Sequence, residues 1–312
     1  MTANEVGFFP RTALADAPHA PFTRAAELGP LLVATDGSAA ADAALRAAHL
    51  LAARTNADVH VLSVVEPVLV PTVDGLVLPS PEGYEQARKA QRLAAVRAQV
   101  RRVAGADCAW EVEVRLAPPA RTIAWMAHER GARLIVLGLG RHRVSDRLFG
   151  TETALRVVQL ADVPVLAVAP DFTALPHRAV LATDFSEISV RAARTALPLL
   201  RDPAIAYLVN VRLPIDMPDR SWGSAYEDRV SRSFERLRAQ LDAPDGVTLE
   251  TIRLPGDPAS TTLDFAATAP ADLIVAGSHG YGFFARLVLG SVSTRLLRGA
   301  RCSVLIVPPR DS

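Results

Sequence analysis

Short apolar runs separated by longer amphipathic stretches set the rhythm of this 312-residue chain. Leu31-Leu-Val-Ala34 is wholly apolar and runs into Thr35-Asp36-Gly37-Ser38, a pattern that predicts a buried strand ending in a turn. Ser38 is placed to cap the Ala-rich helix that follows, to about Arg54. Asp58–Val65 reads as a second strand, and Pro67, Pro71, Pro79 and Pro81 mark a long loop after it. A polar, Arg-rich helix is expected from about Glu82 to Val103, an alternating strand over Cys108–Arg115, and a helix over Ala120–Arg130. Arg133–Gly138 is a fourth strand, Arg141–Phe149 a loop, and Gly150 the start of a helix that leads to a last strand, Val163–Val168.

The pattern then starts again. Val180-Leu-Ala-Thr183-Asp184-Phe185-Ser186 repeats Leu32-Val-Ala-Thr35-Asp36-Gly37-Ser38 at an offset of 184 − 36 = 148. Ala204–Val211 repeats the second strand, and Gly256-Asp-Pro-Ala259 opens a helix as Ala117-Pro-Pro-Ala120 does. Ala271–Gly277 repeats the fourth strand and Cys302–Val307 the last. The highly charged Tyr226–Gln240 is the weakest helix signal of the second copy. Strands alternating with helices imply βαβ units, a parallel sheet covered on both faces, and right-handed crossovers. The expected organisation is a tail over 1–27, a first domain over 28–170, a linker over 171–176 and a second domain over 177–312.

Composition narrows the function classes. Half of the residues are hydrophobic, enough for two full cores, and Lys plus Arg (34) balances Asp plus Glu (33). That balance argues against a nucleic-acid or anionic-membrane surface as the main business of the chain. No apolar run approaches the roughly 18–20 residues of a membrane helix, and the N-terminus lacks the basic start and apolar core of a signal peptide. A soluble, cytoplasmic protein is expected. Cys108 and Cys302 fit two buried thiols in a reduced compartment, with a disulfide left open.

Chemistry concentrates in Gly277-Ser-His-Gly280-Tyr-Gly-Phe-Phe-Ala-Arg-Leu-Val-Leu-Gly290-Ser291-Val-Ser293. A strand feeds this stretch and a helix leaves it. Glycines let backbone N–H groups turn inward, and the helix start adds unpaired donors and positive dipole, so the stretch suits a phosphate. Ser291 and Ser293 are placed to cap the helix or to hold the anion. Lys89 is the only lysine, so any phosphate must be held by backbone, hydroxyls or arginine.

The spacing Gly277-x2-Gly280-x9-Gly290-Ser291 resembles the ATP-binding motif of the universal stress protein (UspA) family. Thr-Asp-Gly-Ser after the first strand, and the ending Gly290–Pro308, resemble the same family; the similarity covers about 29–309 as two copies. The resemblance implies α/β architecture: two tandem Rossmann-like (UspA/adenine nucleotide alpha hydrolase-like) domains, each a five-stranded parallel sheet of order 3-2-1-4-5. In that order Asp184 and Gly277 border one crevice, where open α/β sheets bind ligands. It further implies that Asp184 reaches adenosine, that backbone near Val211 pairs with the adenine edge, and that Gly277 and Gly280 admit ribose and phosphates. Gly290, Ser291 and Ser293 would hold the phosphates of ATP, or of AMP or ADP, with a magnesium ion. Finally, it implies that the last strands pair the two domains with each other, with a chain–chain homodimer through another face as a further possibility.

The first copy departs from the motif. Aligned back from Gly150-Thr151, Gly140 falls against Gly280, and Gly138 then lies one residue too close. Arg141, His142 and Arg143 replace small positions, while Asp36 remains. The set Asp36, Gly138, Gly140, Gly150 and Thr151 is therefore the weaker candidate, because a deletion re-aims backbone N–H groups.

Rival chemistries fit less well. Gly280-Tyr-Gly282-Phe-Phe-Ala285 matches the dinucleotide fingerprint but follows a fourth strand and has no acid about 20 residues on. His279 beside Ser278 invites a hydrolytic reading, yet no G-x-S-x-G elbow exists. Histidines and cysteines show no metal-ligand spacing. The Arg88–Arg102 charge run reads as a solvated helix face. A nucleotide-dependent regulator of an unidentified protein partner is favoured, with no catalytic residue assigned; a slow nucleotide hydrolase or transferase on the same fold is the alternative.

Overall fold

The computed structural model describes residues 28–67, 69–71, 77–79, 82–140, 151–212, 220–279 and 289–309. In the first half, β1 (Leu31–Ala34) leads through a 3-10 turn into α1 (Asp42–Thr55), then β2 (Val59–Val65). A ribbon of β3 (Leu69–Pro71) with β4 (Val77–Pro79) lies inside the expected Pro-rich loop. There follow α2 (Glu82–Ala104), β5 (Glu111–Leu116), α3 (Pro119–Glu129), β6 (Leu134–Gly138), α4 (Thr151–Leu160) and β7 (Val165–Val168). The second half runs β8 (Arg178–Ala182), α5 (Glu187–Ala196), β9 (Ala204–Arg212), α6 (Arg220–Gln240), β10 (Val247–Pro255), α7 (Pro258–Thr268), β11 (Leu273–Gly277), α8 (Ser291–Gly299) and β12 (Ser303–Val307).

Ten strands form one sheet in the order β10-β9-β8-β11-β12-β7-β6-β1-β2-β5. Each half is therefore a parallel sheet of order 3-2-1-4-5. The halves join where β12 pairs antiparallel with β7, Leu305 opposite Leu166. Because that one junction is antiparallel, the carboxyl ends of the two halves point to opposite edges of the sheet, and so do their crevices.

Alternation along the strands divides the interior between two cores. Leu31 and Val33 face the side covered by α1, α2, α5 and α6; Leu32 and Ala34 face the side covered by α3, α4, α7 and α8. Both faces are dry, which is why these strands read as unbroken apolar runs. Both cores continue across the junction, so the halves share their interiors. Arg298 of α8 meets Glu152 of α4 at 2.8 Å, and Arg46 of α1 donates to the Phe172 carbonyl at 2.9 Å.

Local departures from expectation have physical causes. Ser38 makes no side-chain cap; its carbonyl accepts from Ala41 N–H and from Gln99, and α1 starts later, at Asp42. The strand expected over Cys108–Arg115 begins only at Glu111, where pairing with β2 begins. The charged helix of the second half extends to Arg220, carried by the buried stripe Val230, Phe234 and Leu237. Cys108 and Cys302 are not joined in a disulfide. Among the described residues no helix is long and apolar enough to cross a membrane.

Candidate functional site

At the carboxyl end of β8 the chain turns through Thr183-Asp184-Phe185-Ser186. Thr183 Oγ1 accepts from Phe185 N–H at 2.9 Å, and Asp184 Oδ1 accepts from Ser186 N–H at 3.0 Å. Ser186, not Asp184, caps α5, accepting from Ser189 N–H. One oxygen of Asp184 thus holds the turn. The first half builds the same turn, with Gly37 N–H on Thr35 Oγ1 at 3.1 Å and Ser38 N–H on Asp36 Oδ1 at 2.9 Å.

Gly277 closes β11 beside this turn. Val275 stands opposite Leu181, and continuing that register by two residues sets Gly277 beside Thr183, next to Asp184. A Cβ at Gly277 would lie 2.4 Å from Ile188 Cγ2 on α5, so the two stretches, 277 − 184 = 93 residues apart, touch. From here the described ends of the glycine-rich loop fold onto each other. Gly290 N–H donates to the Ser278 carbonyl at 2.8 Å, and a Cβ at Gly290 would stand 2.9 Å from that oxygen. Gly290 is a glycine because backbone passes against backbone there.

Gly290 is also the N-cap of α8 and makes no side-chain cap, unlike Ser186 on α5 and Asp257 on α7. The first N–H groups of an α-helix have no partner within it, and they carry the positive end of the dipole. Ser291, the first residue of α8, is exposed. Ser293 is not: it is buried, and its hydroxyl donates to the Gly277 carbonyl at 2.6 Å. Its hydroxyl proton is therefore committed to tying helix to strand.

Val211 lies on β9 beyond the last residue of β8. Its neighbour Arg212 offers its carbonyl to the β10 side, where Gly256 N–H donates to it at 2.8 Å, while Val209 offers its carbonyl to Thr183. Peptide groups two residues apart on a strand point the same way, so the backbone of Val211 faces the β8 side, past the strand end. Thus Asp184, Val211, Gly277, Gly290 and Ser293 gather at one edge of the second half. Gly280 lies outside the described residues.

In the first half Gly138 closes β6, with the nearest neighbours of a Cβ there, Ala40 O and Ala41 Cα, at 3.5 and 3.7 Å. Thr151 Oγ1 donates to the Gly140 carbonyl at 3.4 Å, and Gly150 lies outside the described residues. Strand ends correspond at 277 − 138 = 139 and helix starts at 291 − 151 = 140, so the first loop is one residue shorter.

Several residues at these edges were not singled out from sequence. Asn210 Nδ2 donates to the Thr183 carbonyl at 2.8 Å, and Ile188 covers Gly277. Arg88 and Arg92, expected on a solvated face, are half-buried. A signal existed for Arg92, since 92, 96, 99, 100 and 103 follow the spacing of the buried stripe of α2. Ser278 is buried, and its hydroxyl lies 2.9 Å from His279 Nδ1, a contact between chain neighbours. Among the described residues no group of three or more His, Cys, Asp or Glu is placed to hold a metal ion.

The model of the universal stress protein family matches residues 28–169 and again 176–308, nearly the whole chain in two consecutive copies. The chain belongs to the universal stress protein family. A universal stress protein of Mycolicibacterium smegmatis is 30% identical over 301 residues, which cover 90% of this chain and 97% of that one. One from Methanocaldococcus jannaschii is 32% identical over 140 residues, 43% of this chain and 82% of its own. Among solved structures, a universal stress protein from Archaeoglobus fulgidus has a TM-score of 0.62 at 18% identity, covering 94% of this chain and 99% of that chain, a likeness of fold. The family's tandem form accounts for the repeated turn and for the strand order of both halves.

Proposed function

We propose that this protein is an adenine-nucleotide-binding regulator of the stress response, acting in the cytoplasm, with its nucleotide bound in the second half. The chain then divides into a first domain over 28–170, a linker over 171–176 and a second domain over 177–312. The observation that carries this reading is the clasp of Gly277, Gly290 and Ser293 around a helix start with no side-chain cap. Asp184 takes the ribose side, the outward backbone of Val211 takes the adenine edge, and Gly277 and Gly280 leave room for sugar and phosphate. Gly290, Ser291 and Ser293 hold the phosphates of ATP, AMP or ADP through backbone N–H groups and the Ser291 hydroxyl.

A magnesium ion bound with ATP takes most of its oxygens from phosphates and water. Asp184 is the carboxylate at this edge that fits such an ion. The first-half set of Asp36, Gly138, Gly140, Gly150 and Thr151 is the weaker site, since its loop is shorter by one residue. The nucleotide state governs a protein partner, and regulation of this kind does not require hydrolysis. The Ser278 hydroxyl beside His279 is buried. Steady-state turnover near 1 per second or above would support the hydrolase alternative instead.

The test is a Gly290→Asp chain, which sets a carboxylate against the phosphates. ATP is expected to raise the melting temperature of the wild-type chain by mass action and to leave that of the variant unchanged. Equal stabilisation of both chains contradicts the assignment, and the unfolding transition without ATP checks that the variant folds.

A further inference from the structure

At the first half's crevice two arginines stand beside Asp36, and nothing in the nucleotide reading uses them. Arg88 and Arg92 lie one turn apart on α2 and so share a helix face. Arg88 donates to the Glu66 carbonyl at 3.1 Å, and Arg92 donates to the Asp36 carbonyl. Glu66 follows β2 and Asp36 follows β1, adjacent strands in register with Ala34 opposite Leu62. Both guanidinium groups therefore overhang the carboxyl ends of β1 and β2.

Neither group is spent by these contacts. A guanidinium carries five N–H donors and each carbonyl engages one of its nitrogens. Among the described residues neither arginine forms an ion pair with a carboxylate. Arg88 also lies over the Tyr84 ring, 5.9 Å from its centre. Arg92 is held in place, with its Cδ 3.7 Å from where a Cβ of Gly37 would stand.

The two guanidinium groups are close enough for Arg88 to disfavour the charge on Arg92. Burial pushes the Arg92 guanidinium below the ordinary arginine range; Asp36 pulls it back up, and Arg88 pushes it down again. Among the described residues the second half lacks this arrangement. Val96 packs on Gly37 as Phe234 packs on Phe185, so Val96 and Phe234 correspond; one turn earlier, Arg92 corresponds to the buried Val230.

We propose that Arg88 and Arg92 form a site for a compact multivalent oxyanion of the phosphate or pyrophosphate class, over the carboxyl ends of β1 and β2. Two forked cations side by side suit such an anion, each with bidentate geometry. The proposal goes beyond the nucleotide site of the second half and does not depend on it.

The test is calorimetric titration of sodium pyrophosphate into the full chain carrying Gly290→Asp, with and without Arg88→Gln and Arg92→Gln. The expected result is binding to the first chain and an affinity about tenfold or more weaker when both arginines are replaced. Equal affinities, or no binding at millimolar pyrophosphate, overturn the proposal. Should Gly290→Asp fail to fold, the same pair of arginine replacements in the otherwise wild-type chain must lower the stoichiometry by one pyrophosphate; unchanged stoichiometry overturns it. Displacement of pyrophosphate by ATP supports the site with a nucleotide's phosphates as occupant, and retention against ATP supports it with the free anion.

Discussion

Behind β1 the chain turns through Gly37 at a φ of 78°, and behind β8 it makes the same turn through Phe185 at 64°. The first turn is covered by a polar network. Buried Gln99 accepts from Thr35 Oγ1 at 2.8 Å and donates to the Ser38 carbonyl and to Asp42 Oδ1, both at 2.7 Å, while Arg102 pairs with Asp42. The second turn is covered by aromatics. Phe185 meets Phe234 edge to face at 5.0 Å, and Arg253 lies 5.5 Å over the Phe234 ring. A phenylalanine with positive φ costs on the order of 1–3 kcal/mol. The edge-to-face contact contributes about 0.5–1.5 kcal/mol beyond burial, so aromatic packing offsets much of that strain. One fold thus closes its crevice rim in two ways: charged and hydrogen-bonded where the glycine loop is shortened, apolar where the loop is whole.

Replacing the cover breaks the comparison most strongly. Phe234→Ala is expected to cost about 3–5 kcal/mol in urea unfolding, the usual range for a buried aromatic. Gln99→Leu, which keeps volume but takes the acceptor from the buried Thr35 hydroxyl, should cost about 1–3 kcal/mol. Equal costs would mean that the two covers are interchangeable.

The strand-end glycines give the next largest contrast. Gly277→Ala drives a methyl to 2.4 Å from Ile188 Cγ2, a β-branched atom with little freedom, and should cost about 1–3 kcal/mol. Gly138→Ala meets only ordinary contacts beyond 3.4 Å and should stay within about 0.5 kcal/mol. A costly Gly138→Ala would show that the first loop is as tightly packed as the second.

The smallest effect is electrostatic. Asp257 caps α7 and binds Arg295 of α8, and the Arg295 guanidinium, then Ser260 N–H and Oγ, hold its carboxyl far below the usual carboxylate range. A depressed folded-state value means stability that is present above the unfolded value of about 3.9 and is lost as pH falls below it. The stability gap between wild type and Asp257→Asn should therefore be widest near neutral pH and shrink toward pH 2, measured by thermal unfolding. The first half has no counterpart, since Pro118 occupies the cap of α3.

The parallel sheet and its repetition were legible because each βαβ unit announces itself by an apolar run flanked by turn residues; the strand order 3-2-1-4-5 followed from the family resemblance, since apolar runs do not say which strands are neighbours. The carboxyl-end turns were legible too: Thr-Asp-x-Ser recurs, and both copies use its hydroxyl and carboxylate in the same two hydrogen bonds. What covers those turns was not legible. Arg92 and Val230 sit on helices whose composition is dominated by exposed charge, and only tertiary packing decides which positions turn inward. Likewise the sequence marks Ser293 as an anion ligand, while the geometry gives its hydroxyl proton to the Gly277 carbonyl; the sixteen-residue separation conceals that bond. Ile188 carried no signal, because a helix needs apolar residues at its start for ordinary packing as well.

The sharpest measurement of the central claim sets one aspartate against its twin. ATP affinity is compared, by calorimetry, for Asp184→Asn and Asp36→Asn, each of which keeps an acceptor oxygen for its own turn. With the nucleotide in the second half, Asp184→Asn weakens ATP binding about tenfold, the loss of one charge-assisted contact, and Asp36→Asn leaves it unchanged. Equal losses in both chains, or a loss confined to Asp36→Asn, contradict the account.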